Sequence, residues 1–120
     1  SSRGIVVHGD ARGRTIGFPT ANLAPVDRTY LPQDGVYVVE VEVMGKRYRG
    51  MASVGKNSTF DGTELRFEAN LFDFTKDIYG YTIRIFWLDK IREMVKFDSV
   101  PALIDQLHQD EKIARKWMKS

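Results

Sequence analysis

A threonine and an asparagine placed two positions apart are the first residues whose types and spacing suggest chemistry. Thr20 and Asn22 follow Pro19 in the segment TIGFPTAN, and on an extended backbone two such residues project to the same side. A hydroxyl and an amide oxygen arranged in this way suit a Mg²⁺ ion that already carries phosphate oxygens. From spacing alone, the commoner alternative is that both are ordinary turn residues after a proline.

The loop that leads into this pair has the composition of an anion-binding loop. Residues 9–22 hold three glycines, which let the backbone approach an anion closely, and Arg12 and Arg14, which add positive charge. The segment lacks the Gly-Lys-Ser/Thr ending of a Walker A loop, so that geometry is not assumed. Such a loop is a flap over a nucleotide or phosphate less often than it is a solvated connection.

Glu68 is the second candidate because it lies in the middle of an expected strand, where a carboxylate is unfavourable by propensity. The same face carries Glu64, Arg66 and Asn70. If this face borders a ligand cleft, Glu68 is an available base. If the face is in solvent, which is the commoner case, Glu68 is a surface residue paired with Arg66 or with a cross-strand neighbour.

The other candidates have plainer explanations. We expect both histidines at the surface, because His8 ends a strand and His108 belongs to a solvated helix face. Arg92 and Glu93 can be explained as a neighbouring charge pair. Three aromatic residues are expected in the core rather than as a stacking platform: Phe86, Trp87 and Phe97.

The elements that must position these residues are mostly strands. Alternation, a hairpin return, or β-branched and aromatic content predicts five of them, at residues 3–8, 36–43, 47–54, 64–72 and 81–88. Residues 44–46 predict a turn that joins the second and third of these strands in a hairpin. Residues 9–22 and 23–34 show neither periodicity and are interpreted as irregular.

After Phe97 the apolar period changes to that of a helix. Ser99 is a suitable N-cap and Pro101 falls in the first turn. Residues 108–110 are the place where the helix could be interrupted. One stripe is expected to pack on the sheet: Leu103, Leu107, Ala114 and Trp117. Strands joined by hairpins, followed by one helix, indicate an antiparallel β-barrel or closed sheet with the helix laid across it.

The composition excludes several classes of protein. The 120 residues carry 18 Lys+Arg against 16 Asp+Glu and contain no cysteine, so disulfide scaffolds and thiolate chemistry are excluded. Two histidines make a zinc site a poor match. No apolar run suggests a membrane span and no signal pattern is present, which predicts a soluble, cytoplasmic protein. A net charge of +2 is too small to argue for nucleic acid.

Length predicts a single domain over residues 1–120. The first residue is Ser1 rather than Met, which fits a piece of a longer protein.

Five ordered blocks of the sequence resemble the riboflavin kinase domain, in particular the C-terminal module of bacterial bifunctional FAD synthetases. They are GIVVHGDARGRTIGFPTANL, LPQDGVYVVEVEV, YRGMASVGKNSTFDG, ELRFEANLFDF and KIREMVKFDSVPALIDQL. The blocks cover essentially the whole chain, and GRTIGFPTAN is the most specific part. The resemblance implies a mainly β fold, a six-stranded antiparallel Greek-key barrel with a C-terminal α-helix packed on it. It also implies ATP, Mg²⁺ and transfer of the γ-phosphoryl to the riboflavin 5′-hydroxyl, giving FMN.

The resemblance also implies roles for single residues. Glu68 matches the catalytic base, and Thr20 and Asn22 match the positions that hold magnesium and the nucleotide phosphates. Arg92 lies in the region that contacts flavin, so Asn22, Glu68 and Arg92 are the expected substrate-binding residues. Residues 55–62 match a second mobile loop. The expected nucleotide-binding residues are Gly9, Arg12, Gly13, Arg14, Thr15, Gly17, Pro19, Thr20 and Asn22.

One departure from the family pattern is visible, since Ser58 stands where many relatives have proline. Losing that restraint on φ loosens the second loop but touches no catalytic position. The FMN adenylyltransferase module that usually precedes this domain is absent from the sequence, so FAD synthesis is expected to be beyond this polypeptide. The expected partners are the small molecules riboflavin and ATP, with no nucleic acid and no membrane.

Two other functions are kept open. The barrel could hold flavin as a sensor or regulator without turning it over, since fold alone does not fix function. It could also bind single-stranded nucleic acid through exposed aromatic residues and Arg12, Arg14, Arg47 and Arg49. The Thr20 and Asn22 pair together with Glu68 favours the enzyme, because a binding protein needs no base beside a hydroxyl.

Overall fold

The computed structural model describes residues 1–7, 20–26, 31–55, 66–74, 76–95 and 97–119. These residues form the strands β1 (Ser2–Val7), β2 (Ala21–Pro25), β3 (Gly35–Val43), β4 (Lys46–Gly55), β5 (Arg66–Leu71) and β6 (Thr82–Arg92), and the helix α1 (Val100–Lys119). The strands close into a barrel in the order β1-β2-β5-β4-β3-β6, and the pairs around it are antiparallel.

The topology is that of a Greek key. Strands β3, β4 and β5 are consecutive neighbours, and β6 returns to lie beside β3. The prediction of a mainly β, six-stranded antiparallel barrel with a C-terminal helix is therefore confirmed.

Alternate side chains from each strand fill the barrel interior. Val39, Val41, Val54 and Ile85 are fully buried there, as expected when successive residues point to opposite faces. Trp87 belongs to this core, where its ring lies 6.0 Å from that of Phe67 and its Nε1 donates a hydrogen bond of 2.8 Å to Ser2 Oγ. The core prediction holds for Trp87.

The other two aromatic residues lie outside the interior core. Phe86 packs beneath the Arg47 guanidinium, at 4.2 Å from the ring centroid. Phe97 is half-buried beside Arg92, whose guanidinium carbon lies 5.7 Å from its ring centroid. Residue type alone could not reveal that an arginine, rather than the core, lies over each ring.

Helix α1 covers part of the outer surface of the barrel. Ala114 is fully buried against Val38, Met51 and Phe72, which form a second apolar cluster. The predicted N-cap is confirmed, because the Ala102 amide donates a 3.2 Å hydrogen bond to the hydroxyl of Ser99. Trp117 is 39% exposed and so only borders the packed stripe.

The helix runs without interruption through residues 108–110. Charged Asp110 suggested a break, but its side chain is buried and accepts hydrogen bonds from Arg92. A buried carboxylate with such a partner is compatible with a continuous helix.

The sequence missed β2 and ended β6 too early. Strand β2 has five residues, and within it only Leu23 is buried. A strand this short shows no clear period. Strand β6 continues four residues past Leu88 to Arg92, because bulges against β3 break its alternation. The β3–β4 turn needs only Met44 and Gly45, whose φ values of 54° and 75° are those of a type I′ turn.

Gly50 is a position where the barrel tolerates no side chain. It lies opposite Leu71 of β5, and a Cβ added there would overlap the backbone carbonyl oxygen of Asn70. Backbone in a paired strand cannot yield cheaply. We expect Gly50→Ala to lower the free energy of unfolding by about 1–3 kcal/mol.

Urea unfolding followed by circular dichroism measures this change. The control is Thr82→Ala, an exposed strand position that should change stability by no more than about 0.5 kcal/mol. A Gly50→Ala protein as stable as the wild type would show that the β4–β5 contact leaves room for a methyl group.

Candidate active site

The strand register places five residues side by side across the barrel. Asn22 of β2 lies opposite Glu68 of β5, and Glu68 lies opposite Ser53 of β4. Ser53 in turn lies opposite Val36 of β3, which lies opposite Arg92 of β6. Directly opposite residues in antiparallel strands project from the same face. We call this set the outer row.

The outer row lies on the outside of the barrel. The chain neighbours of Asn22 and Glu68 pack in the interior: Ala21, Leu23, Phe67 and Ala69. Since side chains alternate along a strand, Asn22 and Glu68 face outward. Both are only half-buried, as is Ser53, whereas Val36 is buried. Glu68 is therefore neither a core residue nor a fully exposed surface charge.

Asn22 and Glu68 form the central pair of this row. Directly opposite residues have Cβ atoms about 4.5–5.5 Å apart, so the amide and the carboxylate lie within reach of one small ligand. Thr20 immediately precedes β2 and is also half-buried. Continuing the β2–β5 register by one residue would set Thr20 opposite Asn70, two positions from Glu68 on the same face. The neutral oxygens and the acid are thus brought together by strand pairing.

Arg92 is held at the other end of the outer row by Asp110 of α1. Its Nε lies 3.0 and 3.1 Å from the two Asp110 carboxylate oxygens, and its Nη2 lies 2.9 Å from Oδ2. Its Nη1 donates to the backbone carbonyl of Glu93 at 3.0 Å. The expected Arg92–Glu93 charge pair is wrong, because the Glu93 carboxylate binds Lys90 Nζ at 2.7 Å instead.

Two titratable groups near Arg92 keep their ordinary charge at neutral pH. Burial raises the pKa of Tyr37, whose hydroxyl donates a 2.6 Å hydrogen bond to the Gln33 carbonyl. The hydrogen bond to Glu93 raises the pKa of Lys90. The phenol therefore stays protonated and the amine stays charged, so neither can accept a proton. Within the outer row, the carboxylate of Glu68 is the group suited to that task.

Arg47 has partners that reduce its value for binding nucleic acid. Its guanidinium lies 3.5 Å from the Glu40 carboxylate and 3.8 Å from that of Glu42, besides its contact with Phe86. A guanidinium facing two carboxylates is a poor phosphate ligand. Arg12 and Arg14, two of the four arginines in that hypothesis, lie outside the described residues.

The remaining predicted flap residues also lie outside the described residues: Gly9, Gly13, Thr15, Gly17 and Pro19. The same holds for His8 and for most of the second loop, including Ser58. Their roles stay predictions. His108 is exposed, as expected.

Sequence reasoning missed two residues of this region. Ser53 carries no signal of its own, since only the register reveals that it flanks Glu68. Asp110 does carry one: it follows Leu107 by three positions and precedes Ala114 by four, so it falls on the apolar stripe of the helix. An acid on a buried stripe indicates a cationic partner.

In the described ranges, no group of three or more histidine, cysteine, aspartate and glutamate side chains is placed to hold a metal ion. Nor does any helix described there combine the length and apolar character needed to cross a membrane.

The chain matches a known protein family along nearly its full length. The family model described as Flavokinase, riboflavin kinase, covers residues 1–118. A curated relative, the bifunctional riboflavin kinase/FMN adenylyltransferase of Listeria monocytogenes, is 45% identical over 96% of this chain and 37% of its own length. The chain thus spans less than two fifths of the curated relatives it matches.

Two solved structures are similar to the chain. A macrolide-efflux protein from Streptococcus pneumoniae has 66% identity and a TM-score of 0.90, covering 97% of this chain and 38% of that one. Riboflavin kinase from Trypanosoma brucei has 30% identity and a TM-score of 0.65, covering 99% and 79%. The efflux function is named for the first of these proteins.

Proposed function

The chain belongs to the riboflavin kinase family, and on that premise we propose that residues 1–120 form one domain that phosphorylates riboflavin. In the proposed reaction the riboflavin 5′-oxygen forms a bond to the γ-phosphorus of ATP. The bond from that phosphorus to the β–γ bridging oxygen breaks, so FMN and ADP are the products. The observation that supports this most is the pairing of Asn22 with Glu68 on a half-buried outer face.

Glu68 is the proposed base. Its carboxylate aligns the 5′-hydroxyl and accepts the proton as the oxygen–phosphorus bond forms. Phosphoryl transfer passes through a loose transition state, so positioning contributes more than basicity and an ordinary carboxylate is sufficient. The partial burial of Glu68 keeps its carboxylate close to bound substrate.

Thr20 and Asn22 are the proposed ligands for Mg²⁺ and the nucleotide phosphates. A hydroxyl and an amide oxygen are hard neutral donors, which fit a magnesium ion that takes its other ligands from phosphate and water. Bound magnesium would neutralise charge on the phosphates. The Asn22 amide lies beside Glu68 and so can orient either the phosphate or the hydroxyl.

The rest of the substrate site is proposed around these residues. Arg92 contacts the flavin, and the flap of residues 9–18 covers the nucleotide. In the full-length protein an FMN adenylyltransferase module precedes this domain, as the names and lengths of the relatives support. The proposed location is the cytoplasm, where ATP is available.

The proposal predicts that the purified chain converts riboflavin to FMN with ATP and Mg²⁺, and that Glu68→Gln lowers turnover on the order of 10² to 10⁴-fold. The amide keeps the size of the side chain but cannot take the proton. Chromatographic detection of FMN measures both proteins. Glu42→Gln is the control, because Glu42 is an outward-facing strand acid outside the outer row; it should keep normal turnover.

Two results would contradict this assignment. Unchanged turnover in Glu68→Gln would remove the base. Riboflavin binding by the wild type without release of ADP would favour a flavin sensor instead.

A second prediction concerns the metal. Thr20→Ala should raise the Mg²⁺ concentration needed for half-maximal activity about tenfold, because one oxygen ligand is lost. A magnesium titration of FMN formation measures the shift, with Thr82→Ala as the matched control on an exposed strand position. Identical titration curves for Thr20→Ala and the wild type would show that Thr20 does not bind the metal.

A further inference from the structure

Asp110 is a fully buried carboxylate that the proposed reaction does not use directly. It lies in the middle of α1 with 0% of its side chain exposed. Its oxygens accept hydrogen bonds from Nε and Nη2 of Arg92 and from the amide nitrogen of Gln106 at 2.9 Å. The Arg92 side chain is 18% exposed, so the pair is almost removed from water.

A buried ion pair adds little net free energy of stabilisation if its role is only to attach a helix. Taking two charges out of water costs several kcal/mol per ion, and apolar residues of similar volume often give equal or greater stability. Helix α1 already has apolar contacts through Leu107 and Ala114. A role confined to attachment therefore does not explain why this position carries a carboxylate.

Helix α1 is also attached by a second ion pair, which serves here as the comparison for the Arg92–Asp110 pair and is called the tether. Arg115 lies 3.2 Å from Asp73, just after β5, and 2.7 Å from Glu111. The hydrogen bond from Arg115 lowers the pKa of Asp73, whose side chain is 80% exposed. This pair is more exposed to solvent and lies about 7.5 Å along the helix axis from Asp110, so it provides a matched comparison.

The bonds around Arg92 fix the plane of its guanidinium. Asp110 takes the edge formed by Nε and Nη2, and the Glu93 carbonyl takes one N–H of Nη1. A guanidinium has five N–H donors, and these bonds use three of them. Phe97 also lies beside the guanidinium, with 5.7 Å between its ring centroid and the guanidinium carbon of Arg92. Arg92 therefore has a fixed orientation and retains donors on its terminal nitrogens.

Arg92 and Glu68 stand three strands apart in the outer row. Three strand spacings are about 14 Å along the sheet. This separation suits an elongated substrate whose reacting alcohol lies at one end and whose planar ring carries carbonyl acceptors at the other. The guanidinium N–H groups are matched to such acceptors.

We propose that Asp110 is a positioning residue for riboflavin, acting through Arg92 to aim its terminal N–H groups at the carbonyl-bearing edge of the flavin ring. The inference rests on the proposed function, in which Arg92 contacts the flavin. Asp110 touches neither substrate. Its carboxylate fixes the guanidinium before substrate arrives, so binding does not have to immobilise a flexible arginine.

The test is a double-mutant cycle on riboflavin affinity. Quenching of riboflavin fluorescence gives Kd for the wild type, Asp110→Asn, Arg92→Gln and the double variant. We expect each single change to raise the riboflavin Kd about tenfold or more, since a charge-assisted hydrogen bond is disturbed. The double variant should bind no more weakly than Arg92→Gln, because Asp110 acts only through that side chain.

The controls separate positioning from attachment. Asp73→Asn breaks the solvent-exposed tether of α1 and should leave the riboflavin Kd within about twofold of the wild type. The KM for ATP in Asp110→Asn should likewise change less than about twofold, since the nucleotide is bound at the opposite end of the outer row. If Asp110→Asn does not fold, Arg92→Met with Asp110→Leu replaces the pair by apolar groups that keep the helix packed.

Three results would overturn the proposal. One is an unchanged riboflavin Kd in Asp110→Asn with reduced stability, which would make Asp110 a tether. Another is additive effects of the two single changes, which would show that Asp110 acts apart from Arg92. The third is wild-type affinity in the Arg92→Met, Asp110→Leu protein. None of these three results would contradict FMN formation by the wild type. A wild type that neither binds nor phosphorylates riboflavin would contradict the proposed function as well.

Discussion

The antiparallel register of the closed barrel is the constraint on which the site depends. Residues from β2, β5, β4, β3 and β6 come together in the outer row only because each strand pairs with its neighbour in a definite register. A slip of one residue in β5 or in β2 would turn Glu68 or Asn22 toward the interior. The interior side chains prevent this, since Val39, Val54 and Ile85 are completely buried. The same packing that stabilises the fold therefore sets the positions of the acid and the amide.

The helix completes this arrangement from outside. Its apolar stripe covers Val38 and Met51. These two residues face each other two positions along β3 and β4 from the outer row. Where that stripe would continue, Asp110 replaces an apolar residue and binds Arg92. The register of β6 against β3 shifts at two points before Arg92, which binds Asp110 of α1. The register shifts between β3 and β6 and the charged position Asp110 in α1 therefore lie at the same end of the site.

Much of the fold could be predicted from the sequence because its elements carry strong periodic signals. Alternation in β3 and the cap at Ser99 specified a long strand and the start of the helix correctly. Strand β2 could not be found in this way, since five residues with Leu23 as the one residue classed as buried show no period. The candidate site could likewise be predicted only in part. Residue types singled out Asn22 and Glu68, but their pairing, the place of Ser53 and the partner of Arg92 depend on strand register and on contacts distant in sequence.

The central claim is that riboflavin binds along the outer row. Titrating ¹⁵N-labelled protein with riboflavin and following the backbone amide signals tests it most directly. If riboflavin binds there, the largest shifts occur at Asn22, Ser53, Glu68 and Arg92. Little change is expected at the charged row on the far part of the outer face, formed by Arg3, Arg84, Glu42 and Arg47. Shifts concentrated in that charged row, with Asn22 and Glu68 unaffected, would contradict it.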